Sequence, residues 1–293
     1  MISKLRVTTG LTALAIGACL AAGAATTHPS AGRTALATAA AAHSTAHLQA
    51  ASVGRPAKAS PKHDDRGVVH ATAVRSTGRT ATAVSNNWAG MAAGGHSYQG
   101  VYATWVQPKI AASSANRYSC TWVGIDGATN QNLIQTGTEA DTVNGVTKYY
   151  AWMEILPATQ SLITYTNGTP VPVKPGDSLI GEVVKTATAG VWQVYLKDVT
   201  QNWVFQKNYY YSGAGASAEW IQEATQEGSV VGPPANFGTV TFNNLEMAYG
   251  GQWYYTNMSA ANGYEIVQNN HVWAYPSAPA GANPQRFSVY YNG

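Results

Sequence analysis

The chain's 293 residues allow one large domain or two small ones, and only 11% of them are charged. Charge is split unevenly: nine basic and two acidic residues in 1–84 give +7, and eight against twelve in 85–293 give −4. That balance excludes a nucleic-acid surface on the larger part, and two cysteines, Cys19 and Cys120, exclude a disulfide framework.

Residues 1–24 read as a secretory signal peptide: Lys4 and Arg6 form the positive start, Leu11 to Leu20 is apolar, and Ala22-Gly23-Ala24 offers small residues for cleavage. The stretch is too short to span a bilayer as a helix, and no later run is long enough. A lipoprotein signal ending at Cys19 is the alternative, but the residues after Cys19 stay apolar, which favours ordinary secretion. Residues 25–84 are rich in Ala, Thr, Ser and His, with almost no Leu, Ile or Phe. Such a segment cannot bury enough surface to fold alone. Two readings stand: a solvated linker, or a propeptide whose positive charge pairs with the acidic remainder and lets go in acid, where carboxylates lose charge.

From Ser85 to 293 the texture is that of one β domain. Short runs rich in β-branched and aromatic residues recur between turn residues: 100–106, 149–156, 178–186, 191–197, 203–211, 218–221, 239–242, 264–267 and 287–291. Many short strands without a convincing amphipathic helix predict an antiparallel sandwich or barrel. Ala218 to Glu223 admits two periods. As a strand it puts Glu219, Ile221 and Glu223 on one face; as a helix it stacks Glu219, Glu223 and Glu227. The Gly-rich lead and the Trp220-Ile221 pair favour a strand, at least to Gln222.

One stretch stands out, Thr121 to Gly137, TWVGIDGATNQNLIQTG. Glycines there permit tight turns and close backbone approach. Leu133 and Ile134 are strand formers, so Gln135 reads as an uncharged hydrogen-bond donor carried on a strand. The plainer reading makes it an exposed strand residue.

Much familiar chemistry is missing. Only His96 and His271 remain after position 84, with no HExxH and no Cys/His cluster, so no zinc site and no cofactor is expected. GxSxG is absent, as are Asp-Thr-Gly and a phosphate loop. A Cys120–His271 dyad is conceivable, but a buried inert thiol is the expectation. Carboxylates, amides and aromatics are left.

Those residues resemble a family. The blocks Asn87-Trp88-Ala-Gly90, Trp105-Val-Gln-Pro108, Trp122-Val-Gly-Ile-Asp-Gly127, Ile134-Gln-Thr-Gly137, Tyr150-Ala-Trp-Met-Glu-Ile-Leu-Pro157, Ala218-Glu-Trp-Ile221 and Ala235-Asn-Phe-Gly238 occur in the order found in the glutamic peptidases, or eqolisins. The resemblance covers about 85 to 245 and implies an all-β fold, an antiparallel β-sandwich of lectin-like jelly-roll type, in a secreted acid endopeptidase made as a precursor. It places the catalytic pair on Gln135 and Glu219. It gives Asp126, Trp152, Glu154 and Trp88 substrate-binding or supporting roles. Two departures concern disulfides and subsites: Cys120 has no second cysteine nearby, and Leu156 stands where an aromatic is common.

The implied chemistry is consistent. An ionised glutamate can take a proton from water and return it to the leaving amine, and an amide N–H can hold the developing oxyanion. A glutamate near its ordinary pKa of about 4.3 changes state readily in acid, so an acidic optimum is expected. Asp126 and Glu154 either hydrogen-bond the catalytic side chains or substrate, or support the fold. Polypeptide substrates and the protein's own propeptide are the expected partners, with no nucleic acid, no membrane and a monomer outside the cell. The main alternative is a carbohydrate-binding or glycan-hydrolysing sandwich, since nine Trp and seventeen Tyr residues could stack on sugars, although Glu154 has no second acid within five residues. A secreted structural protein without activity is the third reading. The Asn167-Gly-Thr169 and Asn257-Met-Ser259 triplets matter only in a glycosylating host.

Overall fold

The computed structural model describes residues 81–227, 230–255, 261–278 and 285–293, with the backbone of two short leader pairs. The expected signal peptide, most of the leader, Cys19 and the Asn257 triplet lie outside the described residues.

The strands in chain order are β1 (Thr26–Thr27), β2 (Gln49–Ala50), β3 (Ala81–Ser85), β4 (Trp88–Gly94), β5 (Tyr98–Val106), β6 (Arg117–Ile125), β7 (Ile134–Val143), β8 (Val146–Ile155), β9 (Ser161–Thr164) and β10 (Ser178–Lys185). They continue with β11 (Val191–Asp198), β12 (Trp203–Tyr210), β13 (Ser217–Glu223), β14 (Gln226–Glu227), β15 (Val230–Val231), β16 (Thr239–Tyr249), β17 (Gln252–Tyr255), β18 (Asn262–Gln268), β19 (His271–Pro276) and β20 (Arg286–Tyr291). No helix occurs among the described residues.

One sheet runs β9-β8-β7-β6-β13-β4-β18, and a second runs β12-β11-β10-β5-β16. Through β19 and β20 the first curls into the second, so the sandwich is nearly closed. Among the described strands pairing is antiparallel except where β3 lies parallel to β18; an isolated parallel bridge joins Tyr118 and Pro234. The expected all-β antiparallel sandwich is the fold found. The ambiguous 218–223 stretch is strand β13, extending through Glu223. β1 pairs with β17 and β2 with β9.

Three hairpins close on two-residue turns in which both residues have positive φ: Asn144-Gly145, Gly250-Gly251 and Asn269-Asn270. That left-handed pair matches the right-handed twist of the flanking strands, and Asn and Gly adopt it at the least steric penalty. β10 and β11 alternate between buried and half-buried residues, the mark of strands with one face in the core. β6, β7 and β13 are buried along nearly their whole length on both faces. Their inner face joins the core between the sheets, where Val123, Ile134, Met153 and Trp220 meet Val101, Leu179, Phe205 and Phe242. Two indoles tie the sheets together in opposite directions. Trp220 on β13 donates to the carbonyl of Tyr102 on β5 at 3.0 Å, and Trp105 on β5 donates to the hydroxyl of Thr138 on β7 at 3.3 Å. Truncating either to Ala removes a large buried side chain and is expected to cost about 3–5 kcal/mol.

Candidate active site

The outer face of the first sheet is buried too, by a second apolar cluster that includes Trp88, Trp122, Trp152, Ile221 and Tyr264. Their arrangement follows from register. Residues directly opposite on neighbouring strands share a face. Trp152 is opposite Gly137, Gly137 opposite Trp122, Trp122 opposite Ile221, Ile221 opposite Gly90, and Gly90 opposite Tyr264. Trp88 packs edge-on against Trp122, ring centroids 5.0 Å apart, and against Tyr264 at 6.3 Å.

Two residues along each strand lies a polar row. Glu154 on β8 is opposite Gln135 on β7, Gln135 opposite Gly124 on β6, Gly124 opposite Glu219 on β13, and Glu219 opposite Ala92 on β4. Two strand spacings, about 10 Å between backbones, separate Gln135 from Glu219. Only Gly124 stands between them. A Cβ there would lie 2.9 Å from the Trp122 ring, 3.0 Å from a Leu133 methyl and 3.1 Å from the Gln135 Cβ. The gap between amide and carboxyl therefore depends on glycine.

Gln135 is not an exposed strand residue; 1% of it is accessible. Its Nε2 donates to Oε2 of Glu154 at 2.8 Å, while its Oε1 is buried without a hydrogen bond. Glu219 is fully buried, and neither of its oxygens makes a hydrogen bond of ordinary geometry. Burial pushes its pKa well above the usual glutamate value. The Ser217 hydroxyl and the Ala128 N–H lie close enough to favour the anion, and the charge of Asp126 adds to the rise, but loss of water dominates. The expectation of an ordinary glutamate therefore gives way to a carboxyl that holds its proton to higher pH.

Asp126 is placed differently from the other expected site residues. It sits at φ 71° just past β6 and accepts four hydrogen bonds that knit two loops together. Donors are the Asn130 amide at 2.8 Å, the Tyr211 hydroxyl at 2.7 Å, and the N–H groups of Gly215 at 3.0 Å and Ala216 at 2.7 Å. The loop it fixes leads directly into β13 and so into Glu219.

A further row, four residues along from the polar row, holds Tyr150, Glu139, Cys120, Glu223 and Trp88 in successive register. Glu223 accepts from the Asn87 amide at 2.9 Å and the Trp122 indole at 2.7 Å. Glu139 accepts from Gln160 at 2.7 Å and Thr225 at 3.1 Å. These bonds fix the Trp122 ring and the chain leaving β13. Cys120 is buried between the two acids, and burial, then Glu223 and Glu139, push its thiol well above the ordinary value. A thiol held neutral there is a poor nucleophile. Sequence reading found Glu223 on the face of Glu219 but gave neither it nor Glu139 a place; the signal was the repeat of four that follows each member of the pair. Among the described residues no group of three or more His, Cys, Asp or Glu is arranged to hold a metal ion.

The chain belongs to the Peptidase A4 family, the eqolisins, whose model matches residues 86–283. It is a glutamic endopeptidase. It is 30% identical over 200 residues to Aspergillopepsin-2 of Aspergillus niger, a match covering 59% of this chain and 68% of that one. Among solved structures it resembles scytalido-glutamic peptidase with a transition state analog inhibitor, at TM-score 0.60 and 23% identity, over 71% of this chain and 98% of that one. Aspergilloglutamic peptidase from Aspergillus niger matches at TM-score 0.50 and 25% identity, over 60% and 99% of the two chains.

Proposed function

We propose that this peptidase cleaves polypeptides in acid with Glu219 and Gln135 as its catalytic pair. Glu219 takes a proton from the attacking water and passes it to the leaving amine. The Gln135 amide stabilises the oxyanion that forms on the carbonyl. One observation carries the reading: both side chains project from the same sheet face with only Gly124, which has no side chain, between them. A raised pKa makes the ionised Glu219 a stronger base while leaving a smaller share of it ionised in acid, and keeps its protonated form ready for the leaving amine. An amide donor is unaffected by acid. Removing a comparable donor elsewhere costs about 3–4 kcal/mol in the transition state. A related eqolisin, SCP-B, has been solved with a tripeptide, Ala-Ile-His, and peptide binding along this aromatic face is the corresponding expectation here.

Acid suits the fold as well as the reaction. Glu219 and Asp198 both hold protons that the unfolded chain would release at the same pH, so folding is favoured as pH falls through that range. The leader, 25–84, is assigned as a propeptide and 1–24 as a secretion signal, giving an extracellular monomer. The test is casein cleavage from pH 2 to 8 with pepstatin present, beside Glu219→Gln. Pepstatin-resistant cleavage confined to acid and absent in the variant is the expected result. Full activity in the variant would remove Glu219 from the mechanism.

A further inference from the structure

We propose that the outer face of the second sheet is a further binding surface, for a neutral polysaccharide chain, on a different sheet from Gln135 and Glu219. One register row crosses six strands: Gln206 on β12, Tyr195 on β11, Glu182 on β10, Tyr102 on β5, Glu246 on β16 and Tyr255 on β17. Their chain neighbours Val101, Val183, Val194 and Leu245 belong to the core, so this row faces the other way. Tyrosines therefore recur on every second strand, about 10 Å apart, with a carboxyl between each pair. The whole row spans about 24 Å, which suits an extended chain of linked sugars better than a small ligand.

The rows on either side are of the same kind. Two residues along one way lie Asn208, Gln193 and Trp253, and Gln193 donates to Asn208 at 3.4 Å. Two residues along the other way lie Lys197 and Thr104. The Trp253 indole reaches past Ala248 to Gly100, where a Cβ would stand 2.7 Å from its ring. Reaching two strands sideways, the ring lies along the sheet, and glycine leaves it that place. A sugar ring has an apolar face of C–H groups and a rim of hydroxyls. Tyr and Trp rings pack against the first. Amides and carboxyls bond the second, because a hydroxyl both donates and accepts. Burial, then Glu182 and Tyr102, push the Tyr195 phenol up to about 12, so it keeps its proton to donate in acid and at neutral pH. Charge separates a sugar polymer from a cationic one. The three rows hold two carboxyls, Glu182 and Glu246, and one ammonium, Lys197, among amides and hydroxyls. A nearly neutral face of donors and acceptors complements a neutral hydroxylated chain.

The test is depletion of the secreted protein from solution by cellulose, chitin and a β-1,3-glucan. A Tyr102→Ala, Tyr195→Ala double variant and Glu219→Gln are run beside it, with thermal melting of each and casein cleavage by the double variant. The expected result is equal retention of wild type and Glu219→Gln by at least one of the three. The double variant should bind more than about tenfold more weakly, with its casein cleavage unchanged. If the double variant does not melt cooperatively, Tyr195→Ala alone carries the same comparison. No retention of the wild type by any of the three overturns the inference. So does retention that the tyrosine changes leave intact. Capture by immobilised poly-lysine in place of the polysaccharides, lost in Glu182→Gln, would make this a cation-binding face and overturns it as well. None of these outcomes depends on whether Glu219 and Gln135 are the catalytic pair.

Discussion

Glu219 and Gln135 occupy the same face of one sheet, two strands apart, and the strand between them carries no side chain at their level because its residue is Gly124. A Cβ there would lie 2.9 Å from the Trp122 ring and 3.1 Å from the Gln135 Cβ, which leaves no room even for alanine without movement. Gly124→Val should therefore act twice. It overpacks a buried face, worth about 1–3 kcal/mol of stability, and it displaces Gln135. A displacement near 1 Å in a positioned group reduces turnover by about a hundredfold. Melting and kcat/KM of the purified variant check both, and a variant with unchanged kcat/KM would mean the gap is not where the substrate reacts.

A carboxyl buried without good hydrogen bonds destabilises the fold whenever it must ionise. The folded pKa of Glu219 is raised above its unfolded value, so its contribution to stability is fully present below the unfolded value, about 4.3, and is lost as pH rises through the folded one. Glu219→Gln cannot ionise and escapes that loss. It should be inactive yet melt higher than the wild type at pH 7, with the difference closing near pH 4. Each kcal/mol relieved corresponds to about 2–4 °C in a domain of this size. Thermal melts at the two pH values decide it. A variant that melts lower at pH 7 would show that the carboxyl is better solvated than its burial implies.

The sequence carried the β class and most second-sheet strands because those strands alternate, one face apolar and one polar, as in Ser178–Lys185 and Val191–Asp198. It carried β4, β6 and β7 poorly. Arg117–Ile125 is buried on both faces, so the alternation that marks a strand is absent. The Asn144-Gly145 turn was a hairpin signal that would have located β7 and β8 together. The pair Gln135 and Glu219 was legible only through the resemblance, since nothing local distinguishes Gln135 from an ordinary strand residue. What no local pattern could supply is register across four strands, which alone sets Gly124 between them and Glu154 beside Gln135.

Asp126 should prove to be an anchor with a distant effect on Glu219. It accepts hydrogen bonds from Asn130, Tyr211, Gly215 and Ala216, and the last two begin the approach to β13. Asp126→Ala strands these donors in a buried setting, each worth about 1–3 kcal/mol when left unsatisfied. A loss of several kcal/mol in denaturant unfolding is expected. Tyr211→Phe removes one donor only and should cost about 1 kcal/mol. If Asp126→Ala unfolds at the wild-type denaturant concentration, the loop is held by something else.

On the other sheet from Glu219, Asp198 at the end of β11 gives the fold a second source of acid dependence. Its Oδ1 accepts from the Gln201 N–H at 2.8 Å, and its Oδ2 is buried without a donor. Asp177, beside it, takes the Gln201 amide at 2.8 Å and the Lys174 N–H at 2.7 Å. Burial raises the Asp198 pKa from 3.8 to about 6, opposed by the Gln201 N–H and reinforced by Asp177. A proton on Asp198 relieves the cost of holding its charge in a buried site beside Asp177. Because the folded pKa lies above the unfolded one, the stabilisation is present below about pH 4 and is lost as pH rises toward 6. Asp198→Asn supplies a permanent donor in place of that proton, so its stability should vary less than the wild type's between those limits, and at pH 7 it should be the more stable of the two. Urea unfolding of both proteins at pH 4 and pH 7 measures this. Parallel loss of stability in the two would assign the acid dependence of the fold to other carboxyls, Glu219 first.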